Sequence, residues 1–244
     1  MKEDSLKRNF KKRKYTVLAL ASVFVLFEIV LYPIIQAVSA KNFGIPTYLS
    51  VILAFLFSFV CYLTARQEFS FFVNIALAFT LCADFCLVVL VPARETAGVV
   101  IFIGAQLSYF LYILAREKGA LLYAHIGVRT FVTALAPVIV YFILDGKPDA
   151  LSIISVIYYT ELVLNLVFSL FDKELRLFSV GLFLFALCDL SIGLKNLSEY
   201  FAFAGGLSRF FKTTKLNFAW IFYLPSQVLI SLSLVRWKSL FKKS

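Results

Sequence analysis

Residues 177–195 read LFSVGLFLFALCDLSIGLK. Before its closing lysine the stretch holds one charged side chain, Asp189, and about 20 mostly apolar residues suffice for a helix to cross the hydrocarbon core of a bilayer. The segment therefore predicts a membrane-spanning helix with a carboxyl inside it. The same reading extends outward to runs at 15–38, 47–66, 70–91, 98–116, 119–144, 149–171 and 217–236. Between them stand Gly44-Ile45-Pro46, Arg66-Gln67-Glu68, Pro92-Ala93-Arg94-Glu95, Arg116-Glu117-Lys118-Gly119, Asp145-Gly146-Lys147-Pro148 and Asp172-Lys173-Glu174, which interrupt the apolar pattern. The expected fold is all-α, a polytopic transmembrane helix bundle of about eight spans.

Composition agrees. Hydrophobic residues make up 61% of the chain and charged residues 16%, with a mean hydropathy of +0.90. Soluble domains run near 45–50% apolar and about 25% charged. The expected organisation is a basic tail at 1–14, a helical membrane domain at 15–238 and a short basic tail at 239–244, with no room for a catalytic domain outside the lipid. Cys61, Cys82, Cys86 and Cys188 all fall in apolar runs, which argues against a disulfide framework. One histidine and no CxxC or HExxH spacing leave no transition-metal site to expect, and no cofactor. The net charge of +10 lies in the tails and short connections, the distribution of a membrane protein and not of a nucleic-acid-binding face.

Of the 24 Lys and Arg residues, an eight-span topology with the N-terminus inside puts sixteen on the cytoplasmic side and seven outside, with Arg129 within a span. The positive-inside rule then makes both termini cytoplasmic, and in a bacterium the host would be the cytoplasmic membrane. The basic N-terminus and the Ala37-Val38-Ser39-Ala40 sequence resemble a secretory signal. The run is too long and carries Glu28 and Pro33, which favours an uncleaved first span. The longest connection, 196–216, with Gly205-Gly206 and three cations, is expected to be a flexible cap over one end.

Ionisable groups inside spans are costly and so are functional candidates by default. Here they are Glu28, Asp84, His125, Arg129, Glu161 and Asp189. Helical spacing aligns polar residues in seams: Glu28, Tyr32 and Gln36; Gly98, Phe102, Gln106 and Tyr109; Tyr158, Glu161 and Asn165; Gly181, Phe185 and Asp189; Trp220, Tyr223, Gln227 and Ser231. At about 1.5 Å per residue, Asp84 and Asp189 lie roughly 10 Å below the outer ends of their spans, with Gln106, Tyr223 and Gln227 at roughly 9–15 Å. The plainer role of such groups is interhelical hydrogen bonding, which suits Gln36, Asn74, Asn165 and Ser231. Arg129 and Glu161 can neutralise each other, and His125 can be a satisfied histidine of the bundle. Carboxyls are poor packing elements, so Asp84 and Asp189 remain the functional candidates. Leu81-Cys82-Ala83-Asp84 and Leu187-Cys188-Asp189-Leu190 echo one another, each followed by a helix bearing a glutamine, as a parallel internal repeat would produce.

The ordered set Ala83-Asp84, Gly98–Phe102–Gln106–Tyr109, Gly181–Phe185–Cys188–Asp189 and Phe222-Tyr223-Leu224-Pro225-Ser226-Gln227 resembles the YhhN-like lysoplasmalogenase family, from about residue 70 to the C-terminus. That family carries Gly-Asp, GxxxFxxxHxxY, GxxxFxxSD and Tyr-Tyr-x-x-Gln at these places. Here Ala83 replaces the glycine, Gln106 the histidine, Cys188 the serine and Phe222 the first tyrosine. Gln106 cannot carry a proton as histidine can, and is left to orient a water or a substrate oxygen.

The resemblance implies hydrolysis of the vinyl-ether bond of a lysoplasmalogen, a lysophospholipid drawn from the bilayer, to a fatty aldehyde and a glycerophospho-base. Such a bond opens when a proton is added to carbon and water then adds to the oxocarbenium-like ion. The chemistry asks for one neutral carboxylic acid and one carboxylate at the same bond, as in glycoside hydrolysis. Asp84 and Asp189 would divide these roles, Gln106, Tyr109, Tyr223 and Gln227 would orient the reacting oxygens, and Arg129 would contact the lipid phosphate. Three readings compete with it, one of them a related hydrolase of the same fold acting on another lipid ether or ester. A proton-coupled or lipid-translocating transporter would use Asp84, Asp189 and Glu161 as a relay, and a membrane scaffold would use the seams for packing alone.

Overall fold

The computed structural model describes residues 15–27, 29–30, 33, 44–65, 69–90, 95–196, 200–201, 205–213 and 218–235. The two basic tails, and Glu28, Tyr32 and Gln36 of the first seam, lie outside the described residues. Among the described residues there is helix and no strand. The helices are α1 (Tyr15–Phe27), α2 (Gly44–Ala65), α3 (Ser70–Asp84), α4 (Glu95–Leu114), α5 (Ala120–Ile143), α6 (Ala150–Ser169), α7 (Arg176–Asn196), α8 (Gly205–Thr213) and α9 (Phe218–Ser233).

Among the described residues, five stretches are long and apolar enough to cross a membrane: Ser70–Leu87, Glu95–Leu114, Ala120–Ile143, Ala150–Ser169 and Lys173–Asn196. A sixth results if α8 and α9 form one bent span. The protein is thus an integral membrane protein built as an all-helical bundle. Its outer surface bears it out, since Val23, Leu56, Phe71, Phe131, Phe142, Phe171 and Phe183 are all exposed, as suits a solvent of lipid and not of water.

Helices α2, α3, α4, α6, α7 and α9 close a ring in that order, each packing on the next and α9 returning to α2. Helix α5 packs on α6 from outside, and α8 packs on α7. Phe24 of α1 stacks on Phe57 of α2 with ring centroids 4.5 Å apart. Polar bonds sew neighbouring ring members together: Ser58 Oγ donates to Asn74 Oδ1 over 2.8 Å, joining α2 to α3. Ser231 Oγ donates to the Ala54 carbonyl over 3.1 Å, joining α9 to α2.

Gly98 and Gly181 each bring their helix against the backbone of a neighbour. A Cβ on Gly181 would lie 2.7 Å from Ile230 Cγ1, 3.1 Å from the Ile230 nitrogen and 3.2 Å from the Ser226 carbonyl oxygen. Helix α7 therefore meets the backbone of α9. A Cβ on Gly98 would lie 2.5 Å from Leu87 Cγ and 3.3 Å from the Ala83 oxygen, which brings α4 against α3 beside Asp84. Small residues at such crossings are how membrane helices gain packing contact.

The short loops order the ends. Asp149 caps α6 by accepting from the Ser152 amide over 2.7 Å. Arg116, just past α4, donates to Asp172 Oδ2 over 2.8 Å and to Glu174 Oε2 over 3.1 Å. The connections after α4 and after α6 therefore share one end of the bundle. The 196–216 connection differs from the flexible cap expected of it, because it contains α8. Leu207, Phe210 and Phe211 recur at three- and four-residue spacing against Arg209 and Lys212, the pattern of a helix lying at an interface. Ser208 Oγ fastens it to the Lys195 carbonyl.

Candidate functional site

Asp84 is the last residue of α3, and the chain then widens into one π-helical turn, Phe85–Val89, closed by the Leu90 amide on the Phe85 carbonyl at 3.1 Å. Such turns insert a residue into a helix and re-aim the side chains beside it. Asp84 is buried, and its carboxyl accepts a hydrogen bond from the Tyr223 hydroxyl of α9. Asp189, on α7, is partly buried and accepts from the Tyr158 hydroxyl of α6 over 2.6 Å. The two carboxyls are close enough to feel one another's charge. Among the described residues, neither forms an ion pair.

Aromatic rings enclose this layer. Phe102 of α4 lies 5.5 Å from the Tyr158 ring and 5.8 Å from Phe185. Phe185 lies 5.4 Å from Tyr223, and Trp220 5.5 Å from Tyr223. Helices on opposite sides of the ring thus meet through a continuous set of ring contacts, tilted at Phe102–Tyr158 and edge-to-face at the others, which holds both tyrosine rings in place.

Several polar atoms of the site residues have no protein partner. Both atoms of the Gln227 amide, Nε2 of Gln106 and the hydroxyl of Ser226 are buried without a hydrogen bond. Tyr109 lies beside Thr80 and within electrostatic reach of Asp84. A buried amide without a partner costs about 1–3 kcal/mol, so this concentration of them inside the ring marks a place fitted to polar atoms of a ligand or water. Among the described residues no three His, Cys, Asp or Glu side chains converge in a way that would hold a metal ion.

A second polar cluster lies on α5 and α6. Of α5, only His125 and Arg129 are buried. The Arg129 guanidinium donates to Glu161, which also accepts from Thr133 over 2.6 Å, and to Asn165 Oδ1 over 2.6 Å. It lies 4.1 Å from the Phe110 ring centroid, a cation–π contact. His125 stacks on Phe168 at 3.6 Å between centroids, and its Nδ1 is 2.8 Å from Glu117 Oε2. Asn165 Nδ2 reaches the backbone carbonyl of Gln106 at 2.8 Å and its Oε1 at 3.1 Å.

Asp84, Asp189, Tyr109 and Tyr223 therefore gather in one layer of the ring. Gln106 stands between that layer and the arginine cluster, and Gln227 follows Tyr223 by one helical turn. Arg129 is not brought to the aspartates. With 6% exposure and its donors engaged by Glu161 and Asn165, it is not disposed for the phosphate contact expected of it. Tyr158, the donor to Asp189, was not among the expected site residues, although its spacing to Glu161 and Asn165 marked the seam.

A family profile described as the YhhN family matches residues 44–234. The chain belongs to the YhhN family. The match covers the whole ring, from α2 through α9, and so every residue of the aspartate layer. A search of curated proteins and a search of solved structures each found no match. Within this YhhN protein, the glycines of the GxxxF stripes are Gly98 and Gly181, where a Cβ would meet backbone of the facing helix, and the phenylalanines are Phe102 and Phe185 of the aromatic enclosure.

Proposed function

We propose that this YhhN-family protein is a membrane-embedded hydrolase that cleaves the vinyl-ether bond of lysoplasmalogens, with Asp84 and Asp189 as the reacting pair. The observation that carries this reading is the pairing itself: two carboxyls from opposite members of a helical ring, each held by a tyrosine hydroxyl and neither neutralised by a cation among the described residues. Buried carboxyls kept without a counter-ion are costly, and acid–base chemistry is a use that repays the cost.

In the reaction, one carboxylic acid gives its proton to the outer vinyl carbon, leaving an oxocarbenium-like ion at the carbon bonded to oxygen. The other carboxylate takes a proton from water as the water oxygen adds to that carbon. As the hemiacetal collapses its hydroxyl gives its proton to the carboxylate that had protonated carbon, the carbon–oxygen bond to glycerol breaks, and the glycerol oxygen takes the proton that the other carboxyl had drawn from water. The products are a fatty aldehyde and a glycerophospho-base, and the pair returns to its starting protonation. Two close carboxyls titrate as a unit, so the roles belong to the pair. Gln106, Tyr109 and Gln227 orient oxygens, and Tyr223 holds Asp84. With eight spans, the lysine and arginine asymmetry supports both termini in the cytoplasm, an orientation in which the pair would lie toward the outer leaflet.

The test is aldehyde release from purified protein in detergent given lysoplasmenyl-ethanolamine. Asp84→Asn and Asp189→Asn should each lower the rate by at least about 100-fold, the usual scale of general acid–base catalysis, at unchanged folding. A well-folded wild-type protein that releases no aldehyde overturns the assignment. Proton-coupled uptake by proteoliposomes in its place would select a transporter.

A further inference from the structure

The hydrogen bonds that lead from Arg129 to Gln106 have a direction that the chemistry of their ends dictates. A guanidinium can only donate, so the Asn165 atom 2.6 Å from Arg129 must be the oxygen. The other Asn165 atom lies 2.8 Å from the backbone carbonyl of Gln106, which can only accept, so it must be the NH2 group. Two obligate partners thus fix the asparagine amide from opposite sides. The same NH2 lies 3.1 Å from the Gln106 side chain, which must then present its oxygen. What remains is Nε2 of Gln106, fully buried and without a partner.

Arg129 is itself fixed. Glu161 holds it, and Thr133 holds Glu161. The nearest His125 nitrogen, Nε2, lies 3.3 Å from the guanidinium, and faced by a donor it must offer its lone pair. Nδ1–H then donates to Glu117. Gln106 shares its helical face with Phe102, packed on Tyr158 and Phe185, and with Tyr109, within reach of Asp84. Its free NH2 therefore borders the aspartate layer.

We infer that Arg129 and Asn165 are positioning residues that lock Gln106 as a hydrogen-bond donor, so that this position takes an acceptor oxygen of the lipid and does not accept a proton from water. The inference rests on the proposed hydrolase reading for the identity of the lipid and on the hydrogen-bond geometry for the direction. The oxygen is a hydroxyl or phosphate oxygen of the glycerophosphate part. A hydrogen bond to the vinyl-ether oxygen would oppose the positive charge that grows there as carbon is protonated. The bond therefore serves binding, and its loss appears in KM.

Gln106→Glu keeps the size of the side chain, still accepts from Asn165, and replaces the free donor by an acceptor. Asn165→Asp removes the donor that orients Gln106. Each should raise KM for lysoplasmenyl-ethanolamine about ten-fold, the worth of one hydrogen bond, with kcat within about two-fold and the double variant no worse than either. An alkenylglycerol without phosphate separates the sources: a KM penalty that persists identifies the hydroxyl, and one that disappears identifies the phosphate. A readout independent of turnover comes from the side-chain amides of the 15N-labelled glutamines, Gln36, Gln67, Gln106 and Gln227. Asn165→Asp should move the Gln106 pair in the ligand-free protein. The non-hydrolysable 1-O-alkyl lysophosphoethanolamine should move that pair in the wild type and not in Asn165→Asp. If no aldehyde is released but the Gln106 pair responds to Asn165→Asp, the hydrolase reading fails and the fixed direction stands. An unmoved Gln106 pair, or Gln106→Glu with unchanged KM, overturns the inference.

Discussion

At Arg129 the buried charge is answered group by group: a carboxylate at Glu161, an amide oxygen at Asn165, an aromatic face at Phe110. At Asp84 and Asp189 each carboxyl has one tyrosine hydroxyl, while the amides and hydroxyls around them include several without partners. Both regions bury polar atoms within one apolar bundle. The first is closed upon itself, as a structural element must be. The second is left open at cost, which is expected where the missing partners are meant to come from substrate and water. The contrast predicts that the two regions fail differently when cut.

The largest expected effect on stability is at the closed region. Arg129→Met leaves Glu161 buried without its cation and should cost about 3–5 kcal/mol, whereas the double variant Arg129→Met/Glu161→Leu should recover most of that loss. Asp84→Asn, whose amide oxygen still accepts from Tyr223, should change stability by no more than about 1 kcal/mol while removing activity. Thermal unfolding in detergent beside aldehyde release checks both. An Asp84→Asn protein less stable than Arg129→Met would make the aspartates structural and dissolve the comparison.

A smaller effect separates the glycines. At Gly181 two of the three atoms that a new Cβ would meet are backbone atoms of α9, so Gly181→Ala must displace the helix that carries Tyr223 and Gln227. A cost of about 1–3 kcal/mol is expected, with activity lost beyond what instability explains, because small misplacements of reacting groups can cost about 100-fold. Gly127 in α5 has nothing within 4 Å. Gly127→Ala should leave activity unchanged and stabilise by up to about 1 kcal/mol through helix propensity.

How much of this was legible in the sequence differs between region and residue. The run at 177–195 became α7, Arg176–Asn196, and 119–144 became Ala120–Ile143, because apolar length decides spans. The seams through Gln106, Asp189 and Tyr223 faced inward because helical spacing decides faces. Cross-helix partners were not legible. Short connections suggest that consecutive helices are neighbours, yet α4 packs on α6 within the ring and α5 is held outside. The Asn165 bond to Gln106 and the Tyr158 bond to Asp189 follow from that order and from helix rotation, which one sequence does not encode locally. The π-turn after Asp84 was equally silent, since Phe85-Cys86-Leu87-Val88-Val89 contains neither proline nor glycine.

The smallest expected effect lies where the closed region reaches the loop between α4 and α5. Burial pushes the Glu117 carboxyl up to about 7 from an ordinary 4.5, with the nearby Arg129 charge opposing the shift. One of its oxygens faces His125 Nδ1 and the other, buried, has no partner, a setting that suits a protonated acid. The folded protein then holds a proton that the unfolded chain has released, so stability declines as pH rises from about 4.5 to about 7. Glu117→Gln has no proton to lose and should flatten that decline. Partial access to solvent at the bundle's end screens the effect, and a difference in Tm on the order of 2 °C between the two proteins across this window is expected. Equal slopes would mean that Glu117 keeps its charge against a partner, and the closed region would then extend unbroken to the loop.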